Sequence, residues 1–237
     1  MAKAFFVTGT DTGVGKTTVS CALLAAARAR GLSTLALKPV ASGCEKTGQG
    51  LRNEDALALM AEMSEPLLYE EVNPVALSEP LSPHLAAAAA GRRLSIQQLA
   101  GFCRGGLMRR ADFKLVEGAG GWRVPLNERE LLSGLPRELN LPVVLVVGLR
   151  LGCLNHAILT AEAILRDGVR IAGWVGNSLD PDMAAQQENI DTLSRLFSPP
   201  CLGVLPWDPA ATATSRAAFL DLTPLLPAPP AEAAPKA

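Results

Sequence analysis

Nine residues close to the start of the chain, GTDTGVGKT from Gly9 to Thr17, bring together the residue types that grip a phosphate: flexible glycines, one lysine and several hydroxyls. In such a loop backbone N–H groups can turn toward an anion, and a helix opening directly after it adds the positive end of its dipole. Lys16 is placed to reach β- and γ-phosphates, and the Thr17 hydroxyl to ligate magnesium. The front of the loop departs from the common G-x-x-x-x-G-K-[ST] pattern, because Thr10 stands where its first glycine would be. The entrance Thr10-Asp11-Thr12 therefore calls for its own explanation.

Other residues with chemical potential fall after apolar runs. Glu117 ends one such run and opens EGAGG (117–121), where glycines let backbone approach a ligand and the carboxylate can hold Mg²⁺ directly or through water. Asp55 has two readings: a site carboxylate, or an acid in a first helical turn behind Asn53 as N-cap, where it favours the dipole in any case. Lys38 ends a run and opens KPVASG (38–43); a solvated strand-end lysine is the commoner fate. Asn177 could pair with an adenine edge or simply form a turn. His84 and His156 have no partner at an informative spacing, and Arg109-Arg110 read as cations at a helix end.

The elements that must position these residues follow from periodicity. Short β-branched or aliphatic runs recur at 4–8, 33–38, 113–117, 142–148, 170–176 and 201–205, and helical spacing at 16–30, 54–63, 83–90, 95–110, 155–167 and 183–197. Ser82-Pro83 reads as an N-cap followed by proline at the first helical position, with Gly91 closing that helix. Alternating strands and helices predict an α/β fold: a mostly parallel sheet of about six to seven strands with helices on both faces, P-loop NTPase-like in its opening unit. Ligands of such sheets bind beyond the carboxyl ends of the strands. We expect one domain over 1–223 and a disordered Pro/Ala-rich tail over 224–237.

Composition agrees with this expectation and excludes alternatives. Aliphatic residues dominate a hydrophobic fraction of 49% of which aromatics supply only 4 points, suiting helices packed on a parallel sheet. A formal net charge of -1 offers no general attraction to nucleic acid or anionic lipid. Cys21, Cys44, Cys103, Cys153 and Cys201 are odd in number and scattered, which argues against a disulfide framework or zinc site and for a reducing cytoplasm. No apolar stretch has the length of a signal h-region or membrane span.

Taken together, VTGTDTGVGKT, KPVASG, GLRNEDALAL, NPVALSEPLSPH, VEGAGGW, VPL, LPVVLVVGLRLGCLNH, AGWVGN and LGVLPW closely resemble the dethiobiotin synthetases, over roughly 1–210. The resemblance implies ATP- and CO₂-dependent ring closure of 7,8-diaminopelargonate to dethiobiotin, the penultimate step of biotin synthesis. It implies that Thr17, Asp55 and Glu117 hold Mg²⁺, which favours the metal reading of Asp55, and that Gly13, Val14, Gly15, Lys16, Thr17 and Thr18 bind the ATP phosphates. Gly118, Ala119 and Gly120 would approach the nucleotide, while Asn177, Ser178, Pro206, Trp207 and Asp208 would frame its base. Lys38 becomes catalytic beside Lys16. Thr12 and Ser42 would touch the substrate or its carbamate, so the unusual loop entrance serves a second ligand.

The resemblance also implies a homodimer in which Gly152, Cys153, Leu154 and Asn155 reach the neighbour's phosphate loop. A helix N-terminus there suits the substrate carboxylate, although Asn155 could simply cap its own helix. Two other readings differ in a specific feature. A cobyrinate-type amide synthetase resembles a longer chain with a glutaminase domain, for which 237 residues leave no room. A partitioning-type nucleotide switch would carry a leading lysine where Asp11 stands, and a membrane-targeting helix. Residues 127–140 and those beyond about 210 depart from the family pattern.

Overall fold

The computed structural model describes residues 3–226. Six strands form one parallel sheet: β1 (Lys3–Gly9), β2 (Thr34–Leu37), β3 (Phe113–Glu117), β4 (Val143–Leu149), β5 (Ile171–Ser178) and β6 (Cys201–Leu205). Their spatial order is β6-β5-β4-β1-β3-β2, with β1 between β4 and β3. Parallel pairing turns every carboxyl end to the same edge, and Val7 of β1 stands opposite Glu117 of β3.

Alternation along the strands explains why helices are needed on both faces. Phe5, Val7, Ala36, Leu115, Val144 and Val146 pack on one side with Val19, Leu23 and Leu24 of α1 (Lys16–Ala29) and Leu59 of α2 (Glu54–Glu62). Phe6, Leu35, Leu37, Val116, Leu145 and Val147 pack on the other. Four longer helices cover that second side: α4 (Pro83–Ala89), α5 (Ile96–Leu107), α7 (Cys153–Arg166) and α8 (Gln186–Leu196). Three short helices, α3 (Tyr69–Val72), α6 (Gly134–Glu138) and α9 (Ala213–Ala217), fill the connections, and their periodicity is too brief to mark them in the sequence.

Several expected helix ends are corrected. The helix expected from 155 begins at Cys153 behind Gly152, whose φ of 94° is open to glycine, so Asn155 lies in the first turn and is not the cap. The helix expected from 183 begins at Gln186, because the Asp180 carboxylate draws the Asp182 N–H into a turn at 3.0 Å. Ser82 holds the N-cap position of α4, but its side chain makes no capping hydrogen bond. At the end of α5, Arg109 pairs with Glu71 at 2.6 Å, and the cation on the terminal carbonyls is Lys114, whose Nζ donates to Leu107 and Arg109 at 2.6 Å each.

The sequence also conceals some strands. Glu45–Thr47 and Gly50–Arg52 form an antiparallel hairpin of mostly polar, exposed residues, and Val40–Ala41 pairs in parallel with Val75–Ala76 over two residues. Of the expected tail, Pro224 and Leu225 lie in a one-turn helix, Thr223–Leu225, with Leu225 buried; residues 227–237 lie outside the described residues.

Candidate active site

The phosphate loop joins β1 to α1 at the centre of the carboxyl edge. Gly15 has φ of 86°, and a Cβ there would collide with the Asn177 Nδ2 atom. That same nitrogen donates to the Val14 carbonyl at 3.0 Å, so the end of β5 braces the loop from behind. At the loop entrance the Asp11 carboxylate accepts from the Thr12 N–H at 2.7 Å and pairs with Arg150 at 3.0 Å. Lys16 Nζ donates to the Asp11 carbonyl at 3.3 Å. Burial, reinforced by the nearby Lys38 charge, pushes the Lys16 pKa down to about 8. An anion bound in the loop would oppose both effects by favouring the charged form.

Beside the loop, Lys38 sits one residue past β2, only 3% exposed. Its Nζ donates to Glu117 Oε1 at 2.6 Å, to Asp55 Oδ2 at 2.9 Å and to the Gly118 carbonyl at 3.2 Å. The Thr17 hydroxyl donates to the same Glu117 oxygen at 2.7 Å. Burial opposes the charge on Lys38, yet the Glu117 and Asp55 carboxylates outweigh it and its pKa is raised. Asp55 shows the converse: burial opposes its charge, and Lys38 overcomes this and lowers its pKa. Lys38 is therefore not a solvated strand end. Asp55 combines its two positions: it lies in the first turn of α2 behind the Asn53 cap, and its partly exposed carboxylate pairs with Lys38 in one ionic cluster.

A cavity of about 630 Å³ opens over this cluster. Thr12, Gly13, Gly15, Lys16, Thr17, Thr18, Lys38, Ser42, Asp55, Ala119 and Gly120 all border it, so most of the expected phosphate, metal and substrate residues share one space. Val14, Glu117 and Gly118 do not border it, and Glu117, fully buried, is joined to it through Lys38 and Thr17. The residues fit a magnesium ion: Thr17, Asp55 and Glu117 present hard oxygen donors, and Glu117 Oε2 is buried with no hydrogen-bond partner among the described residues. Ser42 Oγ is likewise buried and unpartnered among them, at the cavity wall.

Not every expected residue reaches this space. Gly152, Cys153, Leu154 and Asn155 stand at the start of α7 and do not line the cavity within one chain. Ser178 donates to Gln186 at 3.1 Å, and Pro206, Trp207 and Asp208 lie exposed after β6, Trp207 being half-exposed. Conversely Asn53, Pro80, Leu81, Pro83 and Val124 border the cavity, although no chemistry of their own marks them as site residues. A signal for the prolines exists, since SEPLSPH is a turn-rich break between helices that must lie somewhere on an edge.

The geometry has counterparts among known proteins. The family model described as an AAA domain matches residues 3–215. The ATP-dependent dethiobiotin synthetase BioD of Cellvibrio japonicus is 62% identical over 226 residues, covering 95% of this chain and 99% of that protein. The protein of the same name from Pseudomonas aeruginosa PAO1 is 59% identical over 222 residues, covering 94% of this chain and 97% of its own. Among solved structures, the septum site-determining protein MinD of Pyrococcus horikoshii aligns with a TM-score of 0.54 at 16% identity, over 93% of this chain and 87% of that one. The MinC:MinD complex of Aquifex aeolicus gives 0.56 at 15%, over 91% and 86%. Those two likenesses concern the fold alone.

Proposed function

The chain belongs to the family of ATP-dependent dethiobiotin synthetases, and from that premise we propose how its own residues close the ring. It is an ATP-dependent ligase of biotin synthesis, acting on 7,8-diaminopelargonate and CO₂. The observation that carries the residue assignment is that Lys16, Lys38 and Asp55, from three separate elements, border one cavity that begins at the phosphate loop, with the fully buried Glu117 carboxylate joined to Lys38 at 2.6 Å.

One amine of the substrate adds to CO₂ and loses a proton, giving a carbamate. A carbamate oxygen then attacks the γ-phosphorus of ATP and ADP departs; the second amine attacks the carbamate carbon, phosphate leaves, and the ureido ring is closed. Each partner of the phosphoryl step is anionic, so fixed cations must face the developing charge. Lys16 binds the β- and γ-phosphates from the loop. Lys38, held at the cavity floor, lies toward the carbamate and the transferred phosphoryl group. Thr12 and Ser42, with hydroxyls on the cavity wall, hold the substrate or its carbamate, and Gly13 to Thr18 with Gly118 to Gly120 supply backbone to the nucleotide. Thr17, Asp55 and Glu117 would hold Mg²⁺, which supplies charge neutralisation at the phosphate oxygens. Holding two anionic reactants in line contributes several kcal/mol, up to about 7–11 in the best intramolecular cases.

Asn177, Ser178 and the segment Pro206 to Asp208 frame the base. We further infer a homodimer in the cytoplasm, with Gly152 to Asn155 of each subunit presented to its neighbour's substrate; among the described residues no helix is long and apolar enough to cross a membrane. Incubating the protein with diaminopelargonate, ¹³C-bicarbonate and Mg-ATP should give dethiobiotin with one added mass unit, plus ADP and phosphate, by mass spectrometry. ATP hydrolysis indifferent to both diamine and bicarbonate would refute the assignment.

A further inference from the structure

The Lys38 cluster is supported from behind by a second set of buried polar groups. The Asn73 Nδ2 group donates to the Lys38 carbonyl at 2.7 Å, and the Lys38 N–H donates to the Val72 carbonyl at 2.8 Å. Asn73 Oδ1 accepts from the Tyr69 hydroxyl at 2.9 Å. That hydroxyl accepts in turn from the Asn53 N–H at 2.7 Å, and Asn53 caps α2 by accepting from the Ala56 N–H at 3.2 Å. Since α2 carries Asp55, which accepts from Lys38 Nζ, the contacts form a closed circuit. It runs from the Lys38 backbone through Asn73, Tyr69 and the cap of α2 to Asp55, and back to the Lys38 ammonium. Asn53, Tyr69 and Asn73 are 6%, 7% and 2% exposed.

Covalent connection gives Lys38 and Asp55 no comparable constraint. The chain between them passes through the hairpin of 45–52, whose first strand is exposed and whose second is held at its end by Arg52, paired with Glu70 at 3.1 Å. We propose that Tyr69 and Asn73 are positioning residues for the reaction, setting the separation between the Lys38 ammonium and the Asp55 carboxylate through the cap of α2. The proposal rests on the reading of Lys38 as catalytic. Misplacement of a fixed charge by a fraction of an ångström weakens its hold on a developing anion much more than it weakens folding. Tyr69 also lies beneath the Arg52 guanidinium, 4.0 Å from the ring centroid, so replacing tyrosine by phenylalanine keeps that stacking and removes only the hydroxyl.

Tyr69→Phe, Lys38→Gln and the double variant, compared with the full wild-type chain, test this. Calorimetric titration with Mg-ATP gives the dissociation constant and the concentration of binding-competent sites, so that kcat is expressed per folded site. The expected result for Tyr69→Phe is a fall in kcat of about tenfold with the ATP dissociation constant unchanged, and no further fall when it is added to Lys38→Gln. Wild-type kcat per site in Tyr69→Phe, with Lys38→Gln impaired, would overturn the proposal and leave the Lys38 reading standing. Losses that multiply in the double variant would also overturn it, because Tyr69 would then act independently of Lys38. Wild-type kcat in Lys38→Gln would overturn the reading itself and the proposal with it.

Discussion

Two lysines in one cavity have opposite electrostatic surroundings, and they should respond differently to the same substitution. Lys38 is enclosed by two carboxylates and is proposed to face the reacting centre, whereas Lys16 Nζ, among the described residues, has the Asp11 carbonyl alone as a hydrogen-bond partner. Lys16→Gln should therefore raise both the ATP dissociation constant and KM, while Lys38→Gln should lower kcat by about 100-fold or more with ATP affinity nearly kept. Equilibrium binding beside steady-state kinetics checks both. The depressed pKa of Lys16, about 8, adds a linked proton. Without ligand it is losing its proton as pH rises through 8; bound phosphates favour the charged form and raise the pKa again. ATP binding at pH 8 should then take up about half a proton and weaken as pH rises further, and Lys16→Gln should abolish that uptake. Calorimetry in buffers of differing ionisation enthalpy measures it. In the same free state burial of the charged lysine costs stability below pH 8, a cost that fades between about 8 and the unfolded value of 10.5.

The elements were legible where a local pattern determines them, and obscure where only tertiary partners do. All six strands of the parallel sheet follow runs such as FKLVE and PVVLVVG, because a strand covered on both faces must be apolar throughout. The phosphate loop was equally visible, since its glycines, lysine and threonine act within nine residues. Glu117 and Lys38 could be found as strand-end polar residues, but their meeting at 2.6 Å depends on β3 lying beside β2, which no local pattern encodes. The same limit hid Tyr69 and Asn73, whose partners come from 53 and 38. It also misdirected the end of α5, where Arg109-Arg110 were the adjacent cations and Lys114 returns from the next strand to do the capping. Lys114→Met should consequently lower stability by about 1–3 kcal/mol, read as a lower urea midpoint at unchanged m-value, without altering kcat.

For the molecule as a whole, the segment Gly152 to Asn155 does not border its own chain's cavity, so its proposed substrate role depends on the proposed homodimer. Mixing an inactive Lys16→Gln subunit with one altered at 152–155, after unfolding and re-pairing, should restore activity, because one site of each heterodimer then contains neither lesion. Assay at saturating ATP reads the recovery; none, with heterodimers demonstrated, would confine the site to one chain. The strand order has a further consequence for how the protein is made. β1 and β2 leave the ribosome first, yet they are not neighbours: β3, which begins only at Phe113, must enter between them. Until residues 113–117 emerge, two apolar strands lack their shared partner, and their unpaired backbone edges are open to other chains. Residues Thr17, Lys38 and Asp55 stay without Glu117 over the same interval, so nucleotide can be gripped productively only after the centre of the sheet has closed. Slower synthesis across the first half of the chain should therefore lower the yield of folded enzyme, read as the fraction recovered unaggregated.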